Sequence, residues 1–280
     1  YLNGVVIVSG VWDFSTLLPH PSNDLPYMLF LSTMVAAAHY HGKVEGDRDE
    51  LIEAAESFAL GDYALALHRG ASLPDAEREG VAKRLAELLG LEQSYIEASN
   101  LRVRPSQFRK ELMREEGMTF GRFDARMLGS DASELGDYPD YDASYNLIYG
   151  AYASTLNQYV RGELEFESDL PYEILSGKVR PWDYEPFTNR YVSVADHVSG
   201  TLRKNKDIRY FIACGRYDLA TPPFAIEYTL NHLRLAPDSL DAFEFGYYEG
   251  GHMMYTNPSA LKALKRDLAK FIGGKARGRR

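Results

Sequence analysis

Gly4-Val5-Val6-Ile7-Val8-Ser9 is almost unbroken apolar sequence, β-branched at most positions, and stops at Gly10. A strand with one wet face alternates apolar and polar residues. A continuous run belongs to a strand covered on both faces, the condition of a parallel strand between helix layers. The pattern returns twice near the other end of the chain, where Ile208–Cys214 runs into Gly215 and Asp241–Tyr247 runs toward Gly250-Gly251. Between these two segments Pro222-Pro223 opens a helix carrying Phe224, Ile226, Tyr228, Leu230 and Leu233, and Pro237 forbids its continuation. After Pro258, Leu261, Leu264, Leu268, Phe271 and Ile272 recur at helical spacing. Strand, helix, strand, helix is the unit of a parallel sheet covered by helices, so the expected class is α/β.

The middle reads differently. From about Asp47 to Lys204 the periodicity is mostly helical, with no convincing buried strand. Asp49–Arg69 carries Leu51, Ile52, Ala55, Phe58, Ala59 and Leu67; Pro74 stands in the first turn of a helix closed by Gly90, and Pro105 opens another closed by Gly117. Ala143–Leu164 bears an aromatic stripe that includes Tyr145, Tyr152 and Tyr159, and Phe187–Asn205 adds a further helix. The acidic stretch Ser130–Asp142 reads as a surface loop. The chain therefore divides into a sheet-bearing core, residues 1–24 and 205–280, and a large helical lid inserted between two strands, residues 25–204. Twenty tyrosines against two tryptophans suit a cleft or a wet interface, because the ring is apolar and the hydroxyl needs a partner. For most of the stripe the expectation is packing of lid against core, with a pocket wall as the alternative.

Composition narrows the function classes. Thirty-one Lys and Arg against 40 Asp and Glu leave a net charge of -9, which argues against sequence-independent nucleic-acid binding. The single cysteine, Cys214, can build neither a disulfide framework nor a cysteine metal site. Within an apolar strand it reads as a small buried hydrophobe rather than a nucleophile. No apolar run approaches the roughly 20 residues that span a bilayer, and the first residues lack the basic segment and cleavage site of a signal peptide. Lys275–Arg280 is a basic tail of a kind expected to be disordered. His39 and His41 are two apart, which on a strand would aim both rings at a metal, but no third ligand is placed to complete a site, so none is expected.

Two residues carry the chemistry. Asp218 follows Cys214-Gly215-Arg216-Tyr217 in the loop past the carboxyl end of one strand, and His252 follows Gly250-Gly251 past the end of the next. Open α/β sheets gather their working groups at that end. An acid and then a histidine, one strand apart, is the second half of the order Ser…Asp…His, in which the histidine is general base and the carboxylate fixes its tautomer. Read singly, Asp218 caps the helix near Pro222 and His252 is an ordinary loop histidine; order and architecture together favour the catalytic reading.

Six stretches carry a resemblance. Gly215-Arg216-Tyr217-Asp218-Leu219-Ala220-Thr221-Pro222 and Gly251-His252-Met253-Met254-Tyr255 resemble the acid and histidine motifs of the serine carboxypeptidase family, in its bacterial branch. Leu2-Asn3-Gly4-Val5-Val6 is similar to the strand after that family's nucleophile helix. Asn23-Asp24-Leu25-Pro26-Tyr27, Tyr40-His41-Gly42-Lys43 and Gly121-Arg122-Phe123-Asp124-Ala125-Arg126 resemble parts of its lid. The resemblance implies a partial α/β-hydrolase fold with a helical lid, release of C-terminal residues from peptides, no metal and no cofactor, and a substrate-side role for Met253 beside His252.

The departures fix the rest of the expectation. The family's nucleophile elbow, Glu-Ser-Tyr-Gly-Gly, lies upstream of the strand that opens this chain, and no Gly-x-Ser-x-Gly occurs in these 280 residues. The family's substrate-carboxylate clamp also lies upstream. The chain is therefore expected to be the C-terminal part of a longer hydrolase whose serine-bearing N-terminal half is its partner, with Val5–Ser9 left without a neighbour on one side. A strand from within residues 1–280 on that edge would defeat the idea. The rivals are an esterase or acyltransferase of the same fold, and a non-catalytic fragment or pseudo-enzyme that recruits a partner strand. Asp124 with Arg126 and Arg122 reads as a structural ion-pair cluster, with a substrate clamp as the alternative. Periplasmic or secreted location is suggested by the resemblance alone.

Overall fold

The structure is a computed structural model that describes residues 2–274; the expected disordered tail, Lys275–Arg280, lies outside the described residues. Strand β1 (Gly4–Val8) leads to helices α1 (Leu25–Leu29), α2 (Leu31–Tyr40), α3 (Arg48–Leu60), α4 (Asp62–Arg69), α5 (Asp75–Leu89), α6 (Gln93–Ala98) and α7 (Pro105–Glu111). A short hairpin, β2 (Thr119–Phe120) and β3 (Leu128–Gly129), precedes α8 (Ala143–Gln158) and α9 (Ala195–Lys204). The chain closes with β4 (Arg209–Gly215), α10 (Pro223–Asn231), β5 (Phe243–Tyr248) and α11 (Pro258–Gly273).

The three apolar segments form one parallel sheet in the order β1-β4-β5. Val6 stands opposite Phe211, and Ile212 opposite Phe245. One face of the sheet packs Val5, Ile7, Tyr210, Ile212 and Phe245 against Trp12, Leu202 of α9 and Ile226 and Leu230 of α10. The other face sets Phe211, Ala213 and Tyr248 against Ala260, Leu264 and Phe271 of α11. Asn257 caps α11 by accepting the backbone N–H of Ser259 at 3.0 Å, which satisfies a donor that the first turn would leave unpaired.

The first strand is less covered than its composition predicts. Among the described residues β1 pairs with β4 alone, and Val6 and Val8 remain 38% and 39% exposed. The cause is position rather than sequence: β1 lies at a sheet edge, and the α11 layer is centred on β4 and β5.

The helical region has its own core. Leu29, Leu31 and Met34 of α1–α2, Tyr63, Leu85, Leu88 and Phe108 form a cluster that continues into Tyr217, Leu219, Phe224 and Ala225 beyond β4. The helices are thus packed onto the loop after β4 by shared apolar burial. Three details differ from the periodicity. Gly61 divides the helix expected over Asp49–Arg69 into α3 and α4. Residues 119–129 form a hairpin with Thr119 and Phe120 buried, too short to show a strand period. The helix expected over Phe187–Asn205 begins only at Ala195, and α9 packs on the sheet rather than on the other inserted helices. Helix α8 buries only Ala143 and Ser144; Tyr149, Tyr152 and Tyr159 are exposed. Of the stripe's tyrosines, Tyr152 and Tyr159 are thus in solvent, whereas Tyr145 is half-buried with its ring 6.4 Å from that of Phe123.

Candidate active site

Asp218 and His252 meet. They stand past the carboxyl ends of β4 and β5, and His252 Nδ1 lies 2.9 Å from Asp218 Oδ2. Neighbouring parallel strands bring their ends together, so residues 34 apart in sequence share one site. The two loops touch through glycine: a Cβ on Gly215 would lie 2.0 Å from the Gly251 carbonyl oxygen. Any larger residue at 215 would force the histidine loop away from the acid loop.

Asp218 is 1% exposed, and a buried carboxylate must be satisfied by donors. Its Oδ1 accepts the backbone N–H groups of Ala220 at 2.8 Å and Thr221 at 2.9 Å. Its Oδ2 faces His252 Nδ1 and the Thr221 hydroxyl, the latter also at 2.9 Å. That hydroxyl stands 3.1 Å from the Ser9 carbonyl and 3.2 Å from His252 Nδ1, so it ties the end of β1 to the pair. Asp218 does not cap α10, whose N-cap is Pro222 without a side-chain bond. The helix-cap alternative is thereby removed.

His252 keeps one nitrogen for other work. Nδ1 faces Asp218, and among the described residues no hydrogen bond engages Nε2. Its ring lies 5.3 Å from the Phe123 ring at 31°. Ser9 Oγ donates to the His252 carbonyl at 2.7 Å, and Ser9 itself sits in the left-handed region with φ 49°, a conformation that costs a non-glycine residue energy and persists when neighbours hold it. The arrangement can accept a proton at Nε2 from a group placed there and stabilise the resulting imidazolium.

The loop of the β2–β3 hairpin lies across both site loops. Leu219 N–H donates to Arg122 O, and Ala125 N–H to Tyr217 O, each at 3.0 Å. His252 N–H donates to Phe123 O at 2.5 Å. Asp124 Oδ2 accepts the buried Gly251 N–H at 3.1 Å, while Arg126 grips both oxygens of the same carboxylate at 2.9 and 2.7 Å. That hydrogen-bonded pairing raises the Arg126 pKa. Arg122 is not part of this pair; it lies nearer Asp142, 3.9 Å away, with its guanidinium 4.6 Å from the Phe123 ring centre.

Met253 is half-buried beside His252. Cys214 is buried, and burial is the main cause that pushes its thiol up. His39 and His41 sit at the end of α2 rather than on a strand. His39 Nε2 contacts Gly46 O at 3.1 Å, and His41 Nε2 contacts Ala125 O at 2.7 Å; burial lowers the His41 pKa. Among the described residues no three acidic, histidine or cysteine side chains gather as a metal site, and no helix is long and apolar enough to cross a membrane.

Sequence reasoning missed Thr221 and Ser9 as site residues and read Asp124 as part of an ion-pair cluster with a substrate clamp as the alternative, not as a partner of the Gly251 N–H. The spacing Asp218-x-x-Thr221 is a local signal for a side chain folding back on its own turn. Nothing local marks Ser9 or Asp124, whose partners are distant in sequence. No protein-family model, curated protein or solved structure matches the chain.

Proposed function

We propose that this chain supplies the acid and the base of a serine-type carboxypeptidase, an α/β hydrolase whose inserted helices act as a lid. The nucleophilic serine comes from a segment outside these 280 residues. The observation that carries the reading is the 2.9 Å contact of Asp218 and His252 across consecutive strand ends, with Nε2 not engaged by any described residue. That β1 pairs with β4 alone among the described residues supports it too, since a neighbouring strand would bring a serine to the same end of the sheet.

In this mechanism His252 Nε2 takes the serine hydroxyl proton as the oxygen attacks the peptide carbonyl. Asp218 holds Nδ1–H and stabilises the imidazolium. His252 then returns the proton to the leaving amine, the C-terminal residue departs, and water hydrolyses the acyl-enzyme by the same proton path. The test is hydrolysis of an N-blocked dipeptide and of its ester analogue by the protein purified from its native source with any bound polypeptide. Release of the C-terminal amino acid, lost by about 10⁴-fold in Asp218→Asn, is the expected result. Cleavage of the ester alone points to an esterase, and cleavage of neither points to a non-catalytic role.

A further inference from the structure

We propose that Asp124 is a positioning residue that sets the histidine loop at hydrogen-bonding distance from Asp218. The inference rests on reading Asp218 and His252 as the working pair, and it adds a third carboxylate with a separate task.

The two halves of the pair are held in different ways. Asp218 is fixed by its own turn, through Ala220 N–H and Thr221 N–H. His252 has no such local anchor; its backbone is held from outside. Gly251 N–H donates to Asp124 Oδ2 and His252 N–H donates to Phe123 O, so two successive amides of the histidine loop end on adjacent residues of the hairpin. The hairpin is in turn bonded to the acid loop at Arg122 and Ala125. Asp124 is thus the side-chain bridge in a frame that spans both halves of the pair.

The fit is close. A Cβ at Gly251 would lie 1.9 Å from Phe123 O and 2.7 Å from the Asp124 Cβ, so hairpin and loop are in backbone contact and a displacement of one moves the other. Asp124 is 5% exposed. Its charge is compensated by Arg126, whose guanidinium also lies 4.9 Å from the Tyr217 ring centre in the acid loop. A buried carboxylate that accepts a backbone N–H and a bidentate guanidinium is directionally fixed, as a positioning group must be. Arg126 neutralises the carboxylate and, by gripping both oxygens, fixes its direction; the oxygen that meets Gly251 belongs to Asp124.

The test reads the pair directly, in the 280-residue chain, through the low-field proton NMR resonance of His252 Nδ1–H, assigned by its absence in His252→Gln. In the wild type it is expected to be present and to vanish in Asp218→Asn. Asp124→Ala should reduce its intensity at least about fivefold at a temperature where circular dichroism shows the chain folded. Asp124→Asn, which keeps an oxygen for Gly251 N–H, should restore at least about half of it. A full-strength resonance in Asp124→Ala overturns the proposal and leaves the Asp218–His252 reading standing. Absence of the resonance from the wild type overturns both. If Asp124→Ala does not fold, Arg126→Lys carries the test: lysine keeps the charge but cannot span both oxygens, so the resonance should weaken, and an unchanged one again overturns the proposal.

Discussion

Gly251→Ala isolates the contact on which the site geometry depends. The added methyl carbon would stand 1.9 Å from the Phe123 carbonyl oxygen, 2.6 Å from Asp124 Cα and 2.7 Å from its Cβ. Ordinary contact begins at 3.4 Å, so the hairpin must retreat by about 1.5 Å, and backbone atoms cannot yield as a side-chain tip can. That retreat breaks or stretches two bonds, His252 N–H to Phe123 O and Gly251 N–H to Asp124 Oδ2. Overpacking costs about 1–3 kcal/mol, and a buried group left without its partner about as much again, so the expected destabilisation is on the order of 3 kcal/mol. In a chain of this size that lowers the unfolding midpoint by about 8 °C. The assay is thermal unfolding followed by circular dichroism, with Gly80→Ala as the control. Gly80 lies in α5 with nothing within 4 Å of an added Cβ, so alanine there should stabilise by about 0.5–1 kcal/mol. Equal midpoints for the two variants would refute the reasoning.

Three further outcomes are expected. Glu56, beside Glu227 where α3 meets α10, has its pKa pushed up to about 7, mainly by burial and then by Glu227. The folded chain then holds a proton that the unfolded chain, with the ordinary value of 4.5, releases. The stability is complete below about pH 4.5 and falls as the pH rises to about 7, by on the order of 1–2 kcal/mol for a group this accessible to solvent. Glu56→Gln should flatten the difference in melting midpoint between about pH 5 and about pH 8; an unchanged slope would contradict the assignment. Cys214 should not react with a chromogenic disulfide in the folded chain and should react stoichiometrically once unfolded, because burial both shields the thiol and disfavours the thiolate. Thr221→Val should remove one donor near Asp218 Oδ2 and cost about 1–2 kcal/mol of stability, measured by urea unfolding, with the backbone bonds to Oδ1 unaffected.

The sheet and the acid–histidine pair were legible in the sequence because both rest on local signals. An apolar run stopped by glycine marks a buried strand wherever it occurs, and loops after parallel strands have one end of the sheet to go to. The open side of β1 was expected from the resemblance and not from the run itself, since Val6 and Val8 look the same whether or not a neighbour covers them; among the described residues β1 does pair with β4 alone. The hairpin at 119–129 was missed because two-residue strands have no period to read. Asp124 lies 127 residues from Gly251, and no pattern within a dozen residues can announce such a contact. The tyrosines of α8 and its C-cap show the converse: a helical stripe predicts a buried face, yet Tyr152 and Tyr159 lie in solvent and only Tyr145 is half-buried.

The central claim is that Asp218 and His252 activate a serine that these 280 residues do not contain. Intact-mass spectrometry of the native-source protein, before and after a fluorophosphonate probe, tests it directly. The account predicts one probe adduct on serine in a segment outside these residues, lost in Asp218→Asn and in His252→Ala. An adduct on a serine within residues 1–280, or no adduct on any polypeptide present, would contradict it.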